Sequence, residues 1–351
     1  MILGCGSTLA SLTCLANRRK RMCFACLLVL GSVFAAVRGP VRGMEQPGEK
    51  KDGRWAILIA GISGDKDLQR EFIGEVKDLQ AILSGAMQFP GDHIQVLVDD
   101  PSLVPDMAAQ KSTGDNLSSA CRRIAIRSTR DDSVFVFIAG HGNFDGKTYK
   151  LNLVGPDPTA DDIAADLNSI PARSFIVVNT TTCSGGSIGA LAQRGRIVVT
   201  ATRSGQEKNR TYMGRYFVEA LKNSNADMDR NGRVSVLEAF SYASQKVEEY
   251  YAGEGLLQTE HPVLNDGSDG FLARTTYLDP GAIRSDELAL SAGELRLKAE
   301  SDALEKQIEA LKYAKSGMPE DDYEKKLEAL LLKLADVNAK LRGKSPQSPE
   351  H

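Results

Sequence analysis

The sequence predicts an α/β fold, a mostly parallel sheet with helices on both faces, and three observations predict it. Short runs such as "WAILIAG" (Trp55 to Gly61), "SVFVFIAG" (Ser133 to Gly140) and "SFIVVNT" (Ser174 to Thr180) are apolar on successive residues. That continuous pattern belongs to strands buried on both faces, since a half-exposed strand alternates. Segments of helical spacing separate the runs, and a helical crossover is the connection that parallel pairing requires.

After the first strand, Phe72, Val76, Leu79 and Leu83 recur at helical spacing. "HIQVLVDD" reads as the second strand and "NLSSACRRIAI" as the second helix, with Cys121 and Ile124 on its apolar stripe, so Cys121 is a core residue. "SVFVFIAG", "SFIVVNT" and "RIVVTAT" (Arg196 to Thr202) supply three more strands. Near the C-terminus, Leu290, Leu297, Leu304, Ile308 and Leu311, then Tyr323, Leu327, Leu330, Leu334, Val337 and Leu341, repeat at spacings of three and four. "SGMPEDD" lies between the two series, and Pro319 with Glu320 to Asp322 suits a helix start. The pattern predicts a C-terminal antiparallel helical hairpin over 286–342, placed to pack on itself, to self-associate or to autoinhibit; residues 343–351 read as a frayed tail.

Composition sets the class. The chain has 351 residues, 42% apolar and 25% charged, ordinary for a globular protein. "NRRKR" precedes the apolar "MCFACLLVLGSVFAAV", a stretch of roughly 15 residues and short for a membrane span, so residues 1–35 read as a signal peptide. The small residues Val33 and Ala35 put cleavage after Ala35 or Ala36, leaving 36–52 as a linker; an uncleaved N-terminal anchor is the alternative. Losing Arg18, Arg19, Lys20 and Arg21 takes the net charge from −3 to about −7, and no basic patch speaks for nucleic acid. The expected product is exported, periplasmic or secreted. Cys5, Cys14, Cys23 and Cys26 leave with the leader, so the mature chain keeps only Cys121 and Cys183, too few for a disulfide framework. The four histidines have no zinc-ligand spacing.

Ligands of open parallel sheets sit beyond the carboxyl ends of the strands. Just past those ends lie "GISG", "GHGNFDG", "TTCSGGS" and "TRSGQEKN", which brings His141 and Cys183 to one rim. Cys183, between threonines and Ser184–Gly185–Gly186, has the surroundings of a thiol meant to be reached. A thiol acts as nucleophile when a base takes its proton and backbone amides receive the oxyanion. His141 fits the first task, and the N–H groups of Gly142 and Cys183 fit the second. A pairing of Cys183 with His261 competes; "TEHPVLNDG" follows no strand and Pro262 restricts its backbone, so His141 is preferred.

The order strand, "HG", strand, "CSGG" resembles the caspase and legumain clan of cysteine peptidases. "VFVFIAGHGN", "IVVNTTTCSGG" and "VVTATRSGQEKNRTYMGRYFVEAL" are similar to its legumain side, which includes the glycosylphosphatidylinositol-anchor transamidase subunit; the likeness runs over about half the chain, Arg54 to Leu221. It implies a caspase-like domain over 53–280, a catalytic dyad of His141 and Cys183, and an oxyanion hole that includes Gly142. Legumain has Asn where this chain has Ser63, and an acid lining the S1 pocket where this chain has Thr181. The legumain S1 arginine falls on Arg70, implying Asp or Asn at P1, and Glu207 matches an acid near the same pocket.

A second motif is "DMDRNGRVSVLE", Asp227 to Glu238. Oxygen ligands at positions 1, 3, 5 and 9, Gly at 6, a carbonyl at 7 and Glu at 12 are the pattern of an EF-hand calcium loop. Asp227, Asp229, Asn231, Arg233 through its carbonyl, Ser235 and Glu238 fill the ligand positions around Gly232. A lone hand outside the cytosol predicts a Ca2+ clip that stabilises rather than a sensor. The expected activity is that of a cysteine endopeptidase acting on protein or peptide substrates, with Ca2+ unneeded for the chemistry. Two alternatives stay open: an amine replaces water at the acyl-enzyme, giving a transpeptidase or transamidase, or the chain is a non-catalytic calcium-binding scaffold.

Overall fold

The computed structural model describes residues 52–268, 270–280, 292–313, 315 and 318–342. The leader, the two cleavage positions, most of the linker, Leu290 and the 343–351 tail lie outside the described residues. Contacts divide the chain into Met1–Lys50 and Lys51–His351, and all the described residues belong to the second unit.

Its strands and helices alternate in chain order. They are β1 (Arg54–Ala60), α1 (Lys66–Ser84), β2 (Ile94–Val98), β3 (Gln110–Lys111), α2 (Gly114–Arg127), β4 (Ser133–Ala139), β5 (Gly142–Phe144), β6 (Tyr149–Leu151), α3 (Ala160–Asn168) and β7 (Ser174–Asn179). The chain continues through α4 (Ile188–Leu191), β8 (Arg196–Thr200), α5 (Met213–Ala220), α6 (Val236–Gly253), β9 (Val263–Asn265), α7 (Phe271–Arg274), α8 (Ala292–Tyr313) and α9 (Glu320–Arg342).

Seven strands form one sheet in the order β3-β2-β1-β4-β7-β8-β9; β9 runs antiparallel to β8 and every other pairing is parallel. The five apolar runs are its five central strands. Their residues alternate between two cores. Ala56, Leu58 and Ala60 of β1 join the cluster under α1, α5 and α6, whereas Trp55, Ile57 and Ile59 join the one under α2 and α3. Each fully buried Leu, Ile or Phe contributes about 1.5–3 kcal/mol, so burial on both faces fixes these strands strongly. Helix α1 puts Phe72, Ile73, Val76, Leu79 and Leu83 into the first core, and Asp65 caps its start by accepting the amides of Asp67 and Leu68. In α2, Cys121 is fully buried with Leu117 and Ile124, and burial pushes its thiol up to about 12.

Three features go beyond the sequence expectation. The segment after His141 folds back as the β5–β6 hairpin. The segment "HPVLNDG" contains a strand, β9, so His261 stands at the sheet rim after all. Arg196, read as the start of a buried strand, is itself 1% exposed: its guanidinium donates to the Leu191 carbonyl and Asn168 Oδ1 and lies over the Phe175 ring, and burial pulls it down to about 10.

At the C-terminal end, α8 and α9 pack on each other, burying Leu304, Ile308, Leu311, Tyr323 and Val337, and Ser301 Oγ donates to Asn338 Oδ1 at 3.0 Å. Glu320, Asp321 and Asp322 occupy the first turn of α9, where carboxylates suit the helix dipole. No helix among the described residues is long and apolar enough to cross a membrane.

Candidate active site

From β1 the chain adds β2 and β3 on one side and returns to place β4 on the other, which makes the β1/β4 junction the switch point of the sheet. The loops beyond β1, β4 and β7 carry Ser63, His141 and Cys183. A cavity of about 250 Å³ opens there, lined by His141, Gly142, Asn143, Phe144, Asn152, Thr182, Cys183 and Lys208. His141 and Cys183 therefore face one space from adjacent strand ends, although no direct hydrogen bond joins them among the described residues.

The Phe72 ring, from α1, meets the His141 ring edge-on at 5.5 Å. Burial holds the imidazole below its ordinary value, with the Ser63 backbone working against that shift. For Cys183, burial pushes the thiol up, while the Lys208 charge, the Thr182 hydroxyl and the Phe144 backbone pull it back. Both shifts favour uncharged groups, so the resting pair at neutral pH is thiol and imidazole rather than an ion pair.

Cys183 adopts φ 59°, ψ 8°, a left-handed conformation that costs a non-glycine residue about 1–2 kcal/mol. The surrounding bonds hold it there. Thr202 Oγ1 accepts the Gly185 amide at 2.8 Å, and Ser184 Oγ accepts the Thr202 amide at 3.1 Å, which locks the cysteine loop to the loop after β8. Asn179 receives the Thr181 hydroxyl at 2.8 Å and donates to Ser187 Oγ at 3.1 Å. The glycines answer to contact: a Cβ on Gly185 would lie 2.3 Å from the Ser204 nitrogen, and one on Gly142 would lie 2.7 Å from the Thr182 carbonyl.

The two amides expected to receive an oxyanion already have hydrogen-bond partners. Gly142 N–H donates to Thr182 Oγ1 at 3.0 Å, and that hydroxyl donates back to the Gly142 carbonyl at 2.9 Å. Cys183 N–H donates to the Glu207 carbonyl at 2.8 Å. Both partners come from loops whose course the local sequence does not reveal.

The other expected site residues land elsewhere. Arg70 is on the outer face of α1, its side chain 78% exposed and paired with Asp67, and does not line the cavity. Thr181 is fully buried and bonded to Tyr149 and Asn179, because its side chain points back under β5–β6; Thr182 takes the lining position instead. Glu207 lies behind the cavity wall, where its carboxylate accepts the Arg203 and His261 amides and meets His261 Nδ1 at 2.9 Å. Lys208, Asn143 and Asn152 were not among the expected residues; Lys208 adjoins Glu207 in sequence, and only the loop geometry turns it inward.

In the Asp227–Glu238 loop, Asp227, Asp229 and Glu238 each bring a carboxylate oxygen within 4.8 Å of the others. Asp227 accepts the amides of Asn231 and Gly232, with Gly232 at φ 83°, which tightens the turn. Arg233 turns its side chain outward to Asp279. Burial first, then the charges of Glu238 and Asp227, raise the Asp229 carboxyl. Glu238 is fully engaged: Oε1 accepts the Met228 and Asp229 amides, and Oε2 accepts the Ser235 amide and hydroxyl as half of a capping box on α6. The oxygen-only donor set suits a hard divalent cation, and Glu238 would exchange some of these four donors to ligate it.

No protein-family model and no curated protein matches the chain. Among solved structures, protein GSU0716 from Geobacter sulfurreducens is similar at a TM-score of 0.39 and 11% identity, covering 60% of this chain and 92% of its own.

Proposed function

We propose that the chain is an exported cysteine endopeptidase of the legumain type, with Cys183 as nucleophile and His141 as general base and acid. The observation that carries this reading is the shared cavity of His141 and Cys183 at adjacent strand ends, with the Phe72 ring set edge-on against the imidazole. As Sγ attacks a peptide carbonyl, its proton passes to His141. The carbonyl becomes an oxyanion, and the C–N bond then breaks with His141 protonating the amine. Water, deprotonated by His141, hydrolyses the thioester. Stabilisation of the oxyanion by the Gly142 and Cys183 amides requires those amides to leave Thr182 and Glu207. The placement of Arg70 lends no support to Asp or Asn at P1.

Around this centre we read the Asp227–Glu238 loop as an EF-hand-like Ca2+ clip and α8–α9 as an antiparallel hairpin. The convergent carboxylates support the first, and the Ser301–Asn338 bond, early in one helix and late in the other, supports the second. Bound Ca2+ would supply charge neutralisation to the loop and nothing to the cleavage chemistry. A fluorogenic peptide panel with P1 Asn, Asp, Arg and Lys, assayed with and without chelator, tests the activity. Cleavage by the wild type that disappears in Cys183→Ala is the expected result; equal cleavage by both sinks the assignment.

A further inference from the structure

The bond that occupies the Cys183 amide belongs to a built assembly. The Glu207 carbonyl accepts that amide at 2.8 Å, and the Glu207 carboxylate is held from three directions. Oε1 lies 2.9 Å from His261 Nδ1, and Oε2 accepts the amides of His261 and Arg203 at 3.2 and 3.0 Å. The segment that presents His261 is pinned in turn, because the neighbouring Glu260 accepts the amides of Tyr212 and Met213 at 2.8 and 2.9 Å at the start of α5. A side chain tied to a separate strand thus sets the position of a main-chain oxygen on the nucleophile's amide. Cleavage chemistry gives that oxygen no part, and a substrate carbonyl in the same place would meet like against like.

We propose that Glu207 and His261 form a latch that keeps the Cys183 site latent, and that a bound peptide opens it when the substrate carbonyl oxygen replaces the Glu207 carbonyl at the Cys183 amide. This rests on the reading of Cys183 as the peptidase nucleophile. The latch regulates the site without touching substrate, so His261 and Glu207 act as positioning residues. Loosening it makes the amide available at lower cost and speeds only those reactions that place a carbonyl there.

Two probes separate the effects. Iodoacetamide reads the reactivity of the thiol itself. A peptidyl acyloxymethyl ketone, supplied with P1 Asn, Asp, Arg and Lys, also needs its carbonyl received by the amide. Modification of Cys183 is followed by mass spectrometry in the full chain for wild type, His261→Ala and Glu207→Ala, with Cys121 left unmodified as the sign of an intact core. The expected result is a ketone rate raised about fivefold or more in both variants, with iodoacetamide rates within about twofold of wild type. A wild type that reacts with the ketone as fast as folded variants overturns the latch and leaves the peptidase reading standing. Absence of ketone labelling and peptide cleavage in all three, with iodoacetamide still reaching Cys183, overturns both.

Discussion

Cys183 carries two burdens, a left-handed backbone and burial to 2% exposure, so the thiol that the sequence suggests was meant to be reached belongs to a buried residue that only lines the cavity. Because burial raises the thiol above its ordinary value of 9.0 and burial also lowers His141, the thiolate forms only on the alkaline side. Iodoacetamide labelling of Cys183 is therefore expected to keep rising through pH 9; a plateau already reached at pH 7 would show a preformed ion pair instead. Lys208→Ala removes the cation that favours the thiolate and is expected to slow labelling at pH 8 by about two- to fivefold. Gly185→Ala drives a methyl into the Ser204 backbone and should cost about 2 kcal/mol or more, read as a lower denaturation midpoint. That His141 and Cys183 share one rim was legible because each follows an apolar run, His141 between two glycines and Cys183 two residues before Gly185. The engaged amides were not, since Thr182 and Glu207 reach them through turns that no local pattern encodes. Arg70 lies on the exposed side of α1, away from the buried Phe72, Val76 and Leu79, and a likeness in sequence does not register which face a helix residue occupies.

Among the elements, the five central strands were legible from continuous apolar runs, whereas β5, β6 and β9, three residues each, are too short to show periodicity. The α1–α5 contact holds a carboxyl that no pattern announces. Glu75 packs against Gly214, and burial, aided by the Glu71 charge, raises it from 4.5 to about 8. The folded chain thus keeps a proton that the unfolded chain releases above pH 4.5, so this group's contribution is full below 4.5 and drains away up to pH 8. Glu75→Gln should raise the melting temperature little at pH 4 and increasingly up to pH 8; a gain independent of pH would contradict the assignment. In the first turn of α6, Glu238 is a poor probe of metal binding because it also caps the helix. Asp229→Asn is cleaner. It should slightly stabilise the chelated protein by easing carboxylate crowding and abolish any melting shift produced by added Ca2+, measured by differential scanning calorimetry.

For the molecule as a whole, both core clusters draw on residues no later than Leu278, while α8 and α9 bury their apolar residues against each other. A cavity of about 470 Å³ is lined by those helices together with Asn231, Arg233 and Tyr277. Truncation from Ser285 onward should accordingly leave a cooperatively folded domain whose melting temperature lies within about 5 °C of the full chain, and loss of cooperative unfolding would show the tail to be part of the core. The sheet itself ends in β3, two residues long, and β9, three residues long and reversed in direction. Such blunt margins give an incoming extended chain too few free amides and carbonyls to zip onto, so fibrous stacking of copies through their borders is disfavoured from the outset.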